Sequence, residues 1–300
     1  MENPTFSIII PAFNYGNVLP FAIESALQQS GYDFEIIIID DGSKDHTPEI
    51  GNQFAARFPT RVRYYRQENQ GPAATRNRGM RESKGHYLLF LDADDCLLPG
   101  ALEKFRNFLQ QKGHYDFVFG GHISVQPDGR KRLHPAKPLA ASREINFVDY
   151  LRKKFGISNG ATIMSRAIFD TIRYPEQIRN SEDIPVFAQV LALFRCGSFP
   201  EPVLELHKHN DSLRNNIDLI MDTQTRVVDL LFDSAILPPP YMAYEAEMMG
   251  RQCLSLFRSL YLAGRFQEAR QWFWKGIGKK WLLLFEWSYL RKYIRCWGRR

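Results

Sequence analysis

Four consecutive isoleucines, Ile36 to Ile39, run straight into Asp40-Asp41-Gly42-Ser43. A segment that is apolar at every position has no face to give to water, so it must form a strand covered on both sides. Parallel sheets flanked by helices provide that environment. Ser7-Ile8-Ile9-Ile10, ended by Pro11, has the same character, and residues 86–91 form another such run that ends in Asp92-Ala93-Asp94-Asp95. Residues 61–67 read as a further strand. Between these runs the spacing turns helical: residues 18–29 place Leu19, Ala22, Ile23, Ala26 and Leu27 on one face, residues 45–58 start near Thr47-Pro48, and residues 72–83 follow a glycine turn. Repeated strand–helix winding predicts an α/β, Rossmann-like, mostly parallel sheet flanked by helices.

Beyond residue 100 the periodicity is weaker. It predicts a helix over 101–111, a short strand over 117–119, a basic proline-containing loop over 127–142 with a hairpin turn at Asp128-Gly129, helices over 147–155 and 182–194, and an extended segment over 200–209. After Pro238-Pro239-Pro240 the chain reads as two helices, 241–262 and 266–297, joined by Ala263-Gly264-Arg265. Three hundred residues lie near the upper limit for one core. We therefore expect a catalytic domain over 1–215 and a C-terminal α-helical extension over 216–300.

The charge is divided as unevenly as the pattern. Residues 250–300 hold twelve Lys/Arg against Glu268 and Glu286, which is +10; the total of +6 leaves −4 for residues 1–249. The four cysteines, Cys96, Cys196, Cys253 and Cys296, lie far apart without CxxC spacing and read as reduced, cytosolic thiols. The apolar run near the N-terminus is too short for a signal peptide. Trp281 to Phe285 is five residues against the ~20 a spanning helix needs, so no membrane crossing is expected.

In open α/β sheets, ligands bind at the carboxyl ends of the strands. Three strands here deliver polar groups to that rim: Pro11-Ala12-Phe13-Asn14, Asp40-Asp41-Gly42-Ser43 and Asp92-Ala93-Asp94-Asp95. Carboxylates crowded at a strand end repel one another unless a cation or a hydrogen-bonded ligand offsets the charge. One or two Asp oxygens suit Mg²⁺ or Mn²⁺, with phosphate oxygens and water completing the shell. A solvated loop with helix-capping aspartates would have the same sequence.

Taken in order, Ser7-Ile8-Ile9-Ile10-Pro11-Ala12-Phe13-Asn14, Asp40-Asp41-Gly42-Ser43-x-Asp45-x-Thr47, Asn69-x-Gly71 with Arg76-Asn77-x-Gly79, and Asp92-x-Asp94-Asp95 resemble the signatures of the family 2 glycosyltransferases, which share the GT-A fold. The resemblance implies a nucleotide-sugar donor across the strand ends, with Asp40 accepting the imide N–H of a uracil-type base and the backbone at Pro11 and Phe13 lining that base. It implies a divalent ion on Asp94, Asp92 on ribose or metal-bound water, and Arg76 facing the diphosphate. Asp40 could equally be a turn-forming cap, and Arg76 part of a surface ion pair.

Asn180-Ser181-Glu182-Asp183 resembles the family's Glu-Asp motif, which implies Asp183 as the base that deprotonates the acceptor; acidic residues also favour a helix first turn through its dipole alone. His207-Lys208-His209-Asn210-Asp211-Ser212 resembles a Tyr-Arg-x-His-x-x-Ser segment and implies His209 as a metal or phosphate contact, although Leu206 and His207 replace the Tyr-Arg pair. Residues 156–160 either shape the sugar pocket or make a plain glycine turn. The Gln-x-x-Arg-Trp motif of processive members is missing, which implies single additions.

The expected activity is thus inverting transfer of a hexosyl or N-acetylhexosaminyl unit, with Mn²⁺ or Mg²⁺, from a UDP-sugar to a glycan or lipid-linked acceptor in bacterial surface-polysaccharide or lipopolysaccharide assembly. The alternatives are a sugar nucleotidyltransferase and a non-catalytic membrane-associated nucleotide-binding scaffold. The basic tail interleaves Trp272, Phe273, Trp274, Trp281, Phe285, Trp287, Tyr289, Tyr293 and Trp297 with cations. That pattern suits either peripheral contact with an anionic membrane at the cytoplasmic face of the inner membrane, or a helical hairpin packed on the catalytic domain. Nucleic acid is not an expected partner, because the remaining body is acidic.

Overall fold

A computed structural model of the chain describes residues 5–31, 33–208 and 217–297. The run of isoleucines lies in β2 (Phe34–Asp40), in which every residue is buried. Ile36 and Ile38 face one core with Ile8 and Ile10 of β1 (Phe6–Ala12), while Ile37 and Ile39 are equally buried on the opposite side. Each such side chain contributes roughly 1.5–3 kcal/mol of burial. Glu35, the one polar residue before Asp40, is buried with Ser7 Oγ and Arg63 Nη2 as hydrogen-bond donors.

The N-terminal winding is as expected. The helix α1 (Leu19–Leu27) follows β1; α2 (Thr47–Arg57), β3 (Val62–Arg66), α3 (Pro72–Glu82) and β4 (Tyr87–Phe90) follow β2. Strands β1 to β4 pair in parallel, in the order β3-β2-β1-β4. The ends of β1, β2 and β3 are level, with Ala12 opposite Asp40 and Asp40 opposite Arg66. β4 ends earlier, with Phe90 opposite Ile9 and Leu91 N–H donating to the Ile9 carbonyl at 2.9 Å, so that the Asp92–Asp95 loop begins beside the end of β1.

The second half of the sheet is mixed. After β5 (Cys96–Leu97) and α4 (Ala101–Lys112) come β6 (Phe117–Val125), β7 (Lys131–His134), α5 (Arg143–Leu151), β8 (Thr162–Ser165), α6 (Asp183–Leu193) and β9 (Cys196–His207). Among the described residues one sheet continues from β4 through β8, β6, β9 and β5, with β7 paired to β6. β7 runs antiparallel to β6 because the Asp128-Gly129 hairpin turn, with Gly129 at φ 80°, reverses the chain directly; β8 pairs antiparallel with β4 and β6, and β5 with β9.

β7 lies within the expected loop over 127–142, and β9 begins at Cys196 rather than 200. Two further departures from the periodicity have a local cause. β6 continues past Phe119 through Gly120-Gly121, where a Cβ on Gly121 would meet the Pro200 carbonyl oxygen at 2.6 Å; the missing side chain is what lets β9 approach at this irregular register. α5 begins at Arg143 rather than 147, since Ser142 caps it by accepting from Ile145 N–H, and it ends before Lys153, whose φ of 55° is left-handed.

The chain divides into two compact units: residues 1–176 with 186–210, and residues 177–185 with 211–300. The second contains α7 (Ile217–Thr223), α8 (Arg226–Leu231), α9 (Pro239–Met242), α10 (Glu245–Leu262), α11 (Phe266–Lys279) and α12 (Trp287–Arg295). It has its own core, in which Phe257, Leu260, Trp272 and Phe273 are buried and Tyr293 stacks on Phe273 with ring centroids 4.2 Å apart. The expected single helix over 266–297 is broken. α11 stops at Lys279 because Lys280 is extended (φ −151°, ψ 97°), and a 3₁₀ turn, Trp281–Phe285, tucks Leu283 into the core before α12 starts.

Candidate active site

The rim above β1, β2 and β4 is built by side chains that tie one loop to the next. Ser43 Oγ accepts from Asn14 N–H (2.9 Å), Thr47 Oγ1 from Tyr15 N–H (3.0 Å) and Asp45 Oδ2 from Gly16 N–H (2.9 Å). The spacing Ser43-x-Asp45-x-Thr47 therefore has a mechanical meaning, since three successive backbone donors of the β1–α1 turn need three acceptors. Asn14 stands at φ 58°, a conformation Asn tolerates better than most residues, and its side-chain oxygen accepts from Lys44 N–H.

Asp41 performs the same service for the next loop. Its oxygens accept from Gln67 Nε2 (2.7 Å), Gln70 N–H (2.9 Å) and Gly71 N–H (2.8 Å), which fixes the start of α3. Gly71 lies at φ 91°. One turn later Asn77 clamps a distant segment, donating to the Tyr174 carbonyl (2.9 Å) and to Glu176 Oε1 (2.8 Å) while accepting from Tyr174 N–H (3.1 Å). Gly79 lets α3 settle on the sheet: a Cβ there would stand 2.3 Å from Ile9 Cγ2.

Asp40 is wholly buried. Its oxygens accept from Ser43 N–H at 2.8 Å and from the Tyr64 hydroxyl at 2.7 Å, with Arg66 Nε at 3.5 Å. Burial, then the Asp40 charge it faces, pushes the Tyr64 phenol up, so the hydroxyl is a secure donor. Both oxygens that the resemblance assigns to a base are engaged within the protein in this conformation. Pro11 lies half-buried at the end of β1, and Phe13 is 42% exposed beside it.

The acidic loop after β4 is graded from inside to outside. Asp95 is buried and accepts from His207 N–H at 2.9 Å, which ties the loop to the end of β9. Asp92 and Asp94 are half-buried. Arg76, whose side chain is 6% exposed, donates through Nη2 to Asp92 Oδ1 at 2.8 Å and stacks its guanidinium 5.4 Å from the Tyr174 ring centroid. The expectation that Arg76 faces a diphosphate thus meets a guanidinium buried beneath Asp92.

One residue at this rim escaped the sequence reading. Tyr15 hydrogen-bonds Asp94 through its hydroxyl, and its phenol is pushed up by burial first, and then by the charges of Asp94, Asp92 and Asp95. The available signal was topological: Tyr15 sits in the turn after β1, and β1 neighbours β4 in the sheet. Among the described residues no group of three His, Cys, Asp or Glu side chains is arranged to hold a metal ion. Mg²⁺ needs no such cage, because one or two carboxylates suffice when phosphate and water supply the rest, and Asp92 and Asp94 fit that requirement.

Asp183 is the first residue of α6 and is half-buried, with Glu182 buried before it. It belongs to the segment 177–185 that groups with the second unit, whereas Pro11, Phe13, Asp40, Arg76, Asp92 and Asp94 all lie in the first. His209 falls outside the described residues. In residues 156–160, Asn159 is buried and accepts from the Tyr174 hydroxyl at 3.1 Å.

The family model described as glycosyl transferase family 2 matches residues 7–173, more than half of the chain. The chain belongs to this family. Among curated relatives, it is 34% identical over 194 residues to the minor teichoic acid biosynthesis protein GgaA of Bacillus subtilis, covering 62% of this chain and 43% of that protein. It is 32% identical over 183 residues to the GalNAc(5)-diNAcBac-PP-undecaprenol beta-1,3-glucosyltransferase of Campylobacter jejuni, covering 60% and 57%. The chain thus spans about half the length of these two relatives.

The fold is shared with S. aureus TarS 1-349 in complex with UDP, at a TM-score of 0.66 and 18% identity over 98% of this chain and 89% of that one. It is also shared with the mannosyltransferase PcManGT from Pyrobaculum calidifontis in complex with GDP-Man and Mn²⁺, at 0.57 and 17% over 99% and 85%. The expected GT-A architecture is therefore the observed one.

Proposed function

We propose that this family 2 member is an inverting, metal-dependent glycosyltransferase that moves a hexosyl or N-acetylhexosaminyl unit from a UDP-sugar to a glycan or lipid-linked acceptor of the bacterial cell surface. The observation that carries the reading is the half-buried Asp92–Asp94 pair at the end of β4, held from below by Arg76 and flanked by the pinned turn of Tyr15. Two aspartates set at a strand end beside a braced loop would suit a divalent cation that offsets the charge of a diphosphate. The relatives named for teichoic acid and for an undecaprenol-linked glucosyl transfer support a surface glycan as product.

Each residue has a part in this reading. Pro11 and Phe13 line the base. Asp40 reads the imide N–H by exchanging one donor, the Tyr64 hydroxyl, for another. Arg76 positions Asp92 rather than touching phosphate. Asp94, with His209, would hold Mn²⁺ or Mg²⁺, which when bound neutralises the charge gathering on the departing diphosphate. Asp183 takes the proton from the acceptor hydroxyl on the face opposite the leaving group. A lipid-linked acceptor would place this work at the cytoplasmic face of the inner membrane. Among the described residues no helix is long and apolar enough to cross a membrane.

A thermal-shift panel with Mn²⁺ tests the donor. UDP-sugars should raise the melting temperature and CDP-sugars should not, because cytosine lacks the imide donor and only ligand bound to the folded state stabilises it. Equal shifts from CDP-sugars would remove the base assignment, and release of pyrophosphate instead of UDP would replace the reaction by nucleotidyl transfer.

A further inference from the structure

The C-terminal unit treats its aromatic residues unequally. Trp272 and Phe273 are buried and Tyr289 and Tyr293 pack against the core, whereas Trp281, Phe285, Trp287 and Trp297 are 65%, 70%, 64% and 66% exposed. These four lie in the 3₁₀ turn Trp281–Phe285 and in α12 and its end; Trp274 of α11 is exposed as well, with its indole N–H bonded to the Tyr293 hydroxyl at 2.8 Å. Trp281 and Phe285 meet edge to face, 6.0 Å between centroids.

The outward face of α12 has an unusual make-up. Trp287, Arg291, Ile294 and Arg295 are exposed, at i, i+4, i+7 and i+8, while Tyr289, Leu290 and Tyr293 face the core. A helix that ends its packing at its own core should show water a polar face. This one shows water tryptophan, isoleucine and arginine.

The charge on this part of the unit has one sign. Residues 269–297 contain seven cations, Arg270, Lys275, Lys279, Lys280, Arg291, Lys292 and Arg295, and a single acid, Glu286. That acid is bonded to Arg251 Nη1 at 2.7 Å. A second copy of the chain seated on the same face would bring two cationic rims together. An anionic surface would not.

We propose that Trp281, Phe285, Trp287 and Ile294, rimmed by Lys279, Lys280, Arg291 and Arg295, form a face that docks on the headgroup region of an anionic phospholipid bilayer. The aromatic rings insert at the boundary between headgroups and acyl chains and the cations meet the lipid phosphates. Leu283 and the stack of Tyr293 on Phe273 hold the face rigid from behind. The proposal extends the reading of a lipid-linked acceptor, and it is tested without donor or acceptor so that the two can fail separately.

The full chain is sedimented with vesicles of phosphatidylcholine alone and of phosphatidylcholine mixed with phosphatidylglycerol. It should pellet with the mixed vesicles, less so at high salt because the Debye length shrinks below the ~10 Å of 0.1 M. Tryptophan emission should shift to the blue and be quenched by lipids brominated on the acyl chain. The triple variant W281S/F285S/W287S, all at exposed positions, should lose at least about tenfold in vesicle affinity at an unchanged melting temperature. R291E/R295E should lose the preference for anionic lipid. The proposal is overturned if the parent ignores anionic vesicles at low salt, if its emission escapes the brominated lipids, or if the triple variant binds as well as the parent. It is equally overturned if the parent is a dimer that the triple variant turns into a monomer, which would make this a self-association face.

Discussion

Arg76 Nη2 donates to Asp92 Oδ1 at 2.8 Å, joining a guanidinium that is 6% exposed to a carboxylate that is 40% exposed. The bond links the buried side of α3 to the acidic loop after β4, so the orientation of Asp92 depends on a cation beneath it. Arg76→Ala should destabilise the fold by about 1–3 kcal/mol, the range for losing a charged hydrogen-bond partner, and weaken Mn²⁺-dependent UDP binding. Arg76→Lys keeps the charge but not the planar fork, and should restore most of the stability with less of the binding. Denaturant melts and calorimetry with UDP and Mn²⁺ read the two effects; an Arg76→Ala chain with parental stability and affinity would show that the bond does neither.

The Tyr15 hydroxyl and a divalent ion would compete for the same carboxylate, Asp94. Tyr15→Phe removes a donor whose net worth is about 1 kcal/mol, so Mn²⁺ should bind roughly fivefold more tightly in the absence of nucleotide. A Mn²⁺ titration followed by electron paramagnetic resonance measures this directly. Weaker binding in the variant would make Tyr15 a support for Asp94 instead of a competitor.

His122 and His134 stack on the β6–β7 hairpin with centroids 4.7 Å apart and planes 12° from parallel. Burial, then the neighbouring His134 and Lys208, lowers the His122 pKa from 6.5 to about 4. The unfolded chain therefore binds a proton at this position between pH 6.5 and 4 that the folded chain refuses, and stability falls as the pH falls through that window. The loss should reach about 1–3 kcal/mol near pH 4. His122→Asn should flatten the slope of stability against pH between 4 and 6.5; an unchanged slope would assign it to other groups.

Asp183 begins α6, and its proposed role needs a carboxylate rather than a cap. Asp183→Asn retains a capping side chain but no base, so transfer should drop by roughly 10²–10⁴-fold while UDP still raises the melting temperature as in the parent. Loss of UDP binding together with transfer would make the residue structural, and retained transfer would move the base elsewhere.

The local pattern of the sequence was enough to place β1 to β4, because a strand covered on both faces must be mostly apolar, as Ile8 to Ile10 and Ile36 to Ile39 are, and the helical spacing between such runs left the more polar β3 at the edge of the sheet. It also marked Asp40, Asp92 and Asp94, since polar residues that end such strands must lie on one rim. What each polar group does there was settled by neighbours far away in the chain. Asp40 faces inward because Tyr64 and Ser43 enclose it, and Arg76 serves Asp92 because α3 packs against β1 through Gly79. Tyr15 meets the acidic loop only because β1 and β4 are adjacent. In the C-terminal unit, composition announced aromatic and basic residues, but only packing separated Phe273 from Phe285. Periodicity reports which side chains must leave water, whereas the partner of a polar group depends on which elements the folded chain brings within hydrogen-bonding distance.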